Sequence, residues 1–254
     1  MKTRQELKMR AKSAMRDQRS TAILLLLVLV LKVLALAVFD AIVLRKLGWT
    51  PSLLVHWAVV LALLVLAVGM TGEYIKIYRR EPTHVMALYT DFKTRFWRKL
   101  GGMLWMLLWI LLWALISVPV ILLALFLIRR TGRGMRLLAL VLIGPLHLAA
   151  LVPAIIKSLS YFMTPYLLAD CPDVTARQAL KRSMQMMDGH KKELFVMVLS
   201  FIGWMLLSAL TLGILYIVYV GPYMYTAYAG FYEELEVAAV EGAEIEIEEE
   251  IDSE

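Results

Sequence analysis

Five or six apolar stretches, most of them long enough to cross a bilayer, take up most of this 254-residue chain and constrain its fold before anything else. The clearest is Ala22–Leu44, rich in leucine, valine, isoleucine and alanine and broken only by Lys32 and Asp40. A helix rises about 1.5 Å per residue, so about 20 apolar residues span the hydrocarbon core. Further runs cover Leu53–Thr71, Met103–Ile128, Leu137–Ile156, Leu194–Leu210 and Ile214–Tyr232. Hydrophobic residues make up 61% of the chain. Soluble domains average about 45–50%, so a soluble core cannot absorb the excess. The expected fold is therefore all-α: a polytopic membrane protein of six transmembrane helices with short cytoplasmic amphipathic helices.

Charge is segregated along the sequence. All 27 lysines and arginines fall within residues 1–232, while the last 22 residues hold 11 acids and no base. Between the apolar runs, segments 1–20, 73–100 and 157–193 carry 20 Lys and Arg, against 6 in segments 45–52, 129–136 and 211–213. The positive-inside rule then places the N-terminus, and with six crossings the C-terminus, in the cytoplasm of a cell membrane. The basic loops fit anionic lipid headgroups, and no basic-aromatic module suggests nucleic acid. Arg129, Arg130, Arg133 and Arg136 oppose this count, being four arginines in one outer loop. A second topology repairs it, with Met103–Ile128 as a re-entrant hairpin kinked at Pro119. Leu137–Val152 and Ala154–Ala169 then become two short crossings that turn at Pro153.

Three regions follow: a basic amphipathic helix over 1–20, one membrane domain over 21–232, and an acidic tail over 233–254. Thr3-Arg4-Gln5-Glu6 is a capping box, and Leu7, Ala11, Ala14 and Met15 then share one helix face. That helix is expected to lie on the membrane before the first span. A second capped helix begins at Thr175-x-x-Gln178, with Arg177, Lys181 and Arg182 beside a stripe of Ala176, Ala179, Leu180, Met184 and Met187. Gly189 supplies its stop and His190 follows, placed to cap carbonyls. The tail is too acidic and too poor in core formers to fold alone, and disorder is expected there.

Several blocks carry a family resemblance. They are TRQELKMRAKSAM from Thr3, DFKTRFWRKL from Asp91, VPAIIK from Val152 and SLSYFMTPYLLADCP from Ser158. They continue with GHKKELFVMVLSFIGW from Gly189, LTLGIL from Leu210 and VGPYMYTAYAGFYEEL from Val220. In this order, over nearly the whole chain, they resemble the bacterial multi-pass membrane family catalogued as domain of unknown function 975. A weaker likeness runs to the membrane domain of glycerophosphodiester phosphodiesterases. The chain departs from the family at Ala154, where a glycine is usual, and in an extra apolar segment between Trp113 and Val152. The family has no established activity, so the resemblance implies fold and location only.

The residues that could carry chemistry are few. Lys32 sits near the middle of the first span, where a lysine costs about 2.5–3.5 kcal/mol. It reads either as a cation facing an anionic ligand or as a snorkelling side chain. Asp40, eight residues on, lies about 12 Å further along the helix and cannot pair with it. Lys157 is an interfacial anchor or a second intramembrane cation. His56, His84, His147 and His190 show no ligand spacing, and Cys171 is the sole cysteine. No metal, cofactor or enzymatic role is expected, because Walker, nucleophile-elbow and zincin motifs are missing. Two roles remain: a non-catalytic membrane component that organises or regulates a protein partner or a second copy of itself, or a small transporter or lipid handler for an anionic ligand.

Overall fold

The computed structural model describes residues 3–47, 49–89, 95–130 and 133–252. Gly48, in the expected first outer turn, and residues 91–94 of the Asp91–Leu100 block lie outside them. Among the described residues ten helices follow one another, and none forms a strand. They are α1 (Arg4–Asp17), α2 (Arg19–Leu47), α3 (Trp49–Arg79), α4 (Phe96–Ala114), α5 (Val118–Arg130), α6 (Arg133–Ser160), α7 (Thr164–Asp170), α8 (Ala176–Met186), α9 (Lys191–Leu210) and α10 (Gly221–Asp252). One further single turn of helix covers residues 87–89. A 3₁₀ turn joins α4 to α5, and a π-helical turn, Tyr216–Val220, leads into α10.

Among the described residues, five segments are long and apolar enough to cross a membrane: Arg19–Ile42, Leu53–Arg79, Phe96–Leu127, Ile143–Asp170 and Lys191–Leu210. Ile214–Tyr232, expected as a sixth, is not among them. Its tyrosines, glycines and Pro222 dilute the hydropathy, and the reason they are tolerated is burial. Met224, Ala227, Tyr228, Ala229, Phe231 and Tyr232 are all buried, so this stretch forms the middle of the bundle rather than its lipid-facing wall. It runs back along α9, with Trp204 against Tyr219 and Phe201 against both Tyr223 and Tyr228. The wide π turn lets the chain enter Gly221-Pro222 without a break, since proline lacks the N–H that an α-turn would use. A methyl group at Gly221 would lie 2.4 Å from Leu26 and 2.8 Å from the Tyr216 carbonyl, so glycine is what allows α2 to close on this turn.

Three expectations change. The re-entrant hairpin is not formed: α4 and α5 both pack on α6 instead of on each other, and the 3₁₀ turn beside Pro119 bends one continuous run. The N-terminal helix has its capping box, with Glu6 N–H donating to Thr3 Oγ1 at 3.3 Å and Thr3 N–H to Glu6 Oε2 at 2.8 Å. Yet Leu7, Ala11, Ala14 and Met15 are buried, and the helix packs on α10 and α3. Protein, not lipid, covers its apolar face. The tail is helical as far as Asp252, not disordered. Nucleation is the costly step in a helix, and here the tail extends a helix already anchored by Tyr232 and Leu235 in the core.

The ends obey local rules. Arg80 takes a positive φ of 62° and closes α3 with Glu81 N–H on the Lys76 carbonyl at 2.9 Å, a Schellman stop. Leu212 and Gly213 end α9 in the same way, with Gly213 N–H on the Ser208 carbonyl at 2.8 Å.

Two outcomes follow from this packing. In a Cys171→Ser background, cysteines at Glu81 and Arg129 should react with an impermeant maleimide from opposite faces of the membrane, because one continuous run separates them. Labelling from the same face would restore the hairpin. Gly230→Ala should lower stability by about 1–3 kcal/mol, since the new methyl would meet the Tyr78 ring at 2.4 Å. Gly203→Ala, with open space around it, should be neutral or stabilising in the same thermal melts.

Candidate functional site

Three apolar segments each end in a charge, and the fold brings those charges together at one end of the bundle. Arg79 closes α3, Asp170 closes α7, and Glu233 follows Tyr232 on α10. The Arg79 guanidinium donates to both oxygens of Asp170, Nη1 to Oδ1 at 2.7 Å and Nη2 to Oδ2 at 2.8 Å. The same Nη2 lies 2.7 Å from Glu233 Oε1. Tyr232 donates its hydroxyl to Asp170 Oδ2 at 3.1 Å. One planar fork thus ties three helices, a task for which arginine is suited and lysine is not.

A second layer adjoins it. Arg182 of α8 reaches Glu236 of α10 at 3.0 Å, and Cys171 Sγ lies 3.9 Å from Glu236 Oε1 and 4.0 Å from the Tyr232 hydroxyl. Helix α7 has only seven residues, and its open carbonyls need partners. Arg98 serves one of them, the Leu168 carbonyl at 2.6 Å, and also donates to the carbonyls of Cys171 at 3.0 Å and Val174 at 2.8 Å just beyond the helix. Tyr166 stacks on Tyr232 and on Phe162, so the polar layer rests on an aromatic floor.

Burial raises the Glu233 carboxyl above its ordinary range, and the Arg79 guanidinium offsets only part of that rise. Burial and the neighbouring Glu236 charge push the Cys171 thiol up, which keeps it protonated and unreactive. Ligand atoms of Asp170, Cys171 and Glu236 lie within 4.8 Å of one another, a grouping the sequence did not suggest. Arg79 and Arg182 already occupy the two carboxylates, so a metal ion would have to displace both guanidinium groups. The cluster's evident chemistry is mechanical: it locks α3, α7, α8 and α10.

The residues singled out from sequence do not converge. Lys32 lies over the Tyr89 ring at 5.2 Å and lines a 380 Å³ cavity between α2 and α3, with Leu36, Phe39, Val55, Val59 and Leu66. Asp40 pairs with Nδ1 of His56 on α3, a partner not foreseen. Lys157 sits over Trp113, 5.1 Å from its centroid. On the second capped helix, now α8, Thr175 accepts from Gln178 N–H and forms the full box. Arg177 covers Trp105 at 5.3 Å, Arg182 belongs to the network above, and Lys181 is exposed. Gly189 takes the expected positive φ of 78°. His190 does not cap carbonyls: it stands at the N-cap of α9 and pairs with Glu193 at 3.2 Å.

Arg79→Gln should destabilise the protein by about 1–2 kcal/mol, more than a lone surface pair because the fork is bidentate and meets two carboxylates, and Asp170→Asn should add little once Arg79 is gone. Additive losses in thermal or denaturant unfolding would show that the fork does not couple α3 to α7. Cys171 should alkylate more slowly at neutral pH than a free thiol, and Glu236→Gln should speed it roughly three- to ten-fold by removing the charge that suppresses the thiolate. An unchanged or slower rate, read by mass spectrometry, would contradict that assignment.

A family model described as "Protein of unknown function (DUF975)" matches residues 1–239, and the chain belongs to that family. No curated protein and no solved structure matches it.

Proposed function

We propose that this member of the family is a non-catalytic component of the cell membrane that organises or regulates a protein partner, with both termini cytoplasmic. In this reading the buried return of α10 along α9 makes a sixth passage, and the basic loops meet anionic lipid headgroups rather than nucleic acid. One observation supports the role above others. The ionisable residues singled out within the apolar runs are answered separately inside the chain, Lys32 by Tyr89, Asp40 by His56 and Lys157 by Trp113. A carrier for an anion needs such groups to converge on one ligand, and these keep three separate partners, Lys32 and Asp40 at different levels of α2 and Lys157 on α6. What the chain instead presents at the end it shares with the Arg79 network is α8, held rigidly by its cap and by Arg182, with Lys181 exposed.

A second reading, a small transporter or lipid handler for an anionic ligand, is favoured by the Lys32 cavity. That cavity is apolar apart from one lysine, and it lies between two membrane-length helices.

In-cell crosslinking, mild-detergent purification and mass spectrometry separate the two. One protein recovered in constant proportion is expected, lost in Arg177→Glu with Lys181→Glu and kept in Lys32→Leu with Asp40→Leu. Recovery of a specific small anion without a protein, abolished by Lys32→Leu, would replace the first reading with the second.

A further inference from the structure

A separate hollow lies away from both the Arg79 network and the Lys32 cavity. Its 780 Å³ opens between the first turns of α1 and α9, with one side chain from α10 at its base. The base is apolar: Leu7, Met197 and Phe231 are buried there, and Val196 stands beside them with its side chain exposed. The rim is polar and carries Arg4 and Lys192, both exposed. Among the described residues neither has an ion-pair partner. The one acid on the rim, Glu193, is held by His190 Nδ1 at 3.2 Å, and Glu6 nearby is occupied by the α1 capping box.

Depth decides what such a hollow fits. Helix α9 begins with Lys191, Lys192 and Glu193 and is apolar from Leu194 to Leu210, so the rim sits at the edge of the hydrocarbon layer and the base one turn inside it. A cationic rim above an apolar floor, straddling that edge, matches an amphiphile with a negative head. The start of α9 adds to this in a minor way, since no side chain caps its backbone N–H groups and a helix N-terminus favours an anion. The volume falls in the range of small-molecule pockets, ample for a headgroup with its glycerol.

We propose that this hollow is a binding site for one anionic phospholipid of the surrounding leaflet, its phosphate held by Arg4 and Lys192 and its glycerol and upper chain resting on Leu7, Val196, Met197 and Phe231. The site is distinct from the diffuse attraction of basic loops to a membrane. It also stands apart from the partner role proposed above: loss of the lipid leaves that role untouched, and loss of the partner leaves the lipid bound.

The test is native mass spectrometry of the full chain released from phosphatidylcholine nanodiscs that contain phosphatidylglycerol as a minority lipid. One retained phosphatidylglycerol per chain is expected. At about 1 kcal/mol for each cation near a headgroup, Arg4→Gln with Lys192→Gln should weaken retention roughly thirty-fold. Lys12→Gln with Arg16→Gln removes the same charge from exposed positions of α1 outside the hollow and should leave retention within about two-fold. Arg4→Lys, which keeps the charge, should behave like the parent chain, and excess inorganic phosphate should not release the lipid, because the apolar floor also holds it. Unfolding midpoints of all variants, measured in parallel, confirm that each is folded. Equal loss in both double variants, undiminished retention in the first, or complete release by inorganic phosphate would each overturn the proposal.

Discussion

The rest of the bundle depends on one guanidinium. Arg79 stands at the end of α3, where the helix dipole already favours a cation, and it faces Asp170 and Glu233 at the same time. A charge with only one partner at this half-buried level would be costly, and two carboxylates without the arginine would repel each other. Together they cost less than any one of them alone, which is why breaking the set should hurt more than replacing it whole. Geometry follows from that bond. Asp170 fixes where α7 ends, Glu233 fixes the rotation of α10, and Tyr232 is turned so that its hydroxyl completes Asp170 while its ring stacks on Tyr166.

With α10 fixed in this way, its tyrosines become structural rather than interfacial. Tyr74 of α3 stacks on Tyr225 at 5.3 Å and donates its hydroxyl to the Ala22 carbonyl of α2 at 2.8 Å. An unsatisfied phenol at that depth carries a desolvation penalty, which Tyr74 avoids through that bond. Gly230 and Gly221 do the complementary work, admitting the Tyr78 ring and the Leu26 side chain where a methyl group would not fit. Close approach at two points, and a polar lock at one end, let a helix of modest hydropathy occupy the centre of an apolar bundle.

How much of this was legible follows from the range of each interaction. Capping boxes at Thr3 and Thr175 and the stop at Gly189 are set by residues close in sequence, and all were readable. The lipid-length helices were readable for the same reason, as runs of composition. The Arg79 network was not, because Arg79 and Asp170 are 91 residues apart and nothing local announces their meeting. A signal did exist: Arg79, Asp170 and Glu233 each terminate an apolar run, and charges of opposite sign at comparable depth invite pairing. The tail was misread because its composition was judged alone, whereas a helix entering it from the core at Leu235 has already met the cost of nucleation. Asp40 and His56 were each noticed, but their pairing depends on how α2 and α3 turn about their axes, which hydropathy does not encode.

The bundle treats its cations and its anions differently, and that difference explains why the lysines in the spans failed to mark a site. Lys8 lies over Phe201, Arg10 over Tyr78, Lys32 over Tyr89, Lys157 over Trp113 and Arg177 over Trp105. An aromatic face returns about 0.5–2 kcal/mol to a cation, a useful part of the roughly 2.5–3.5 kcal/mol that a lysine costs at mid-membrane. Rings can do this without bringing a negative charge into the apolar layer, and the long lysine stem lets the ammonium reach a ring nearer the interface. Carboxylates have no equivalent device. They must meet a cation or a donor, and Asp170, Glu233 and Glu236 do so together at one end of the bundle, each against an arginine. A cation in a span of this chain therefore says little about a ligand until its nearest ring is known, whereas Arg4 and Lys192, with neither ring nor carboxylate among the described residues, share the rim of one hollow.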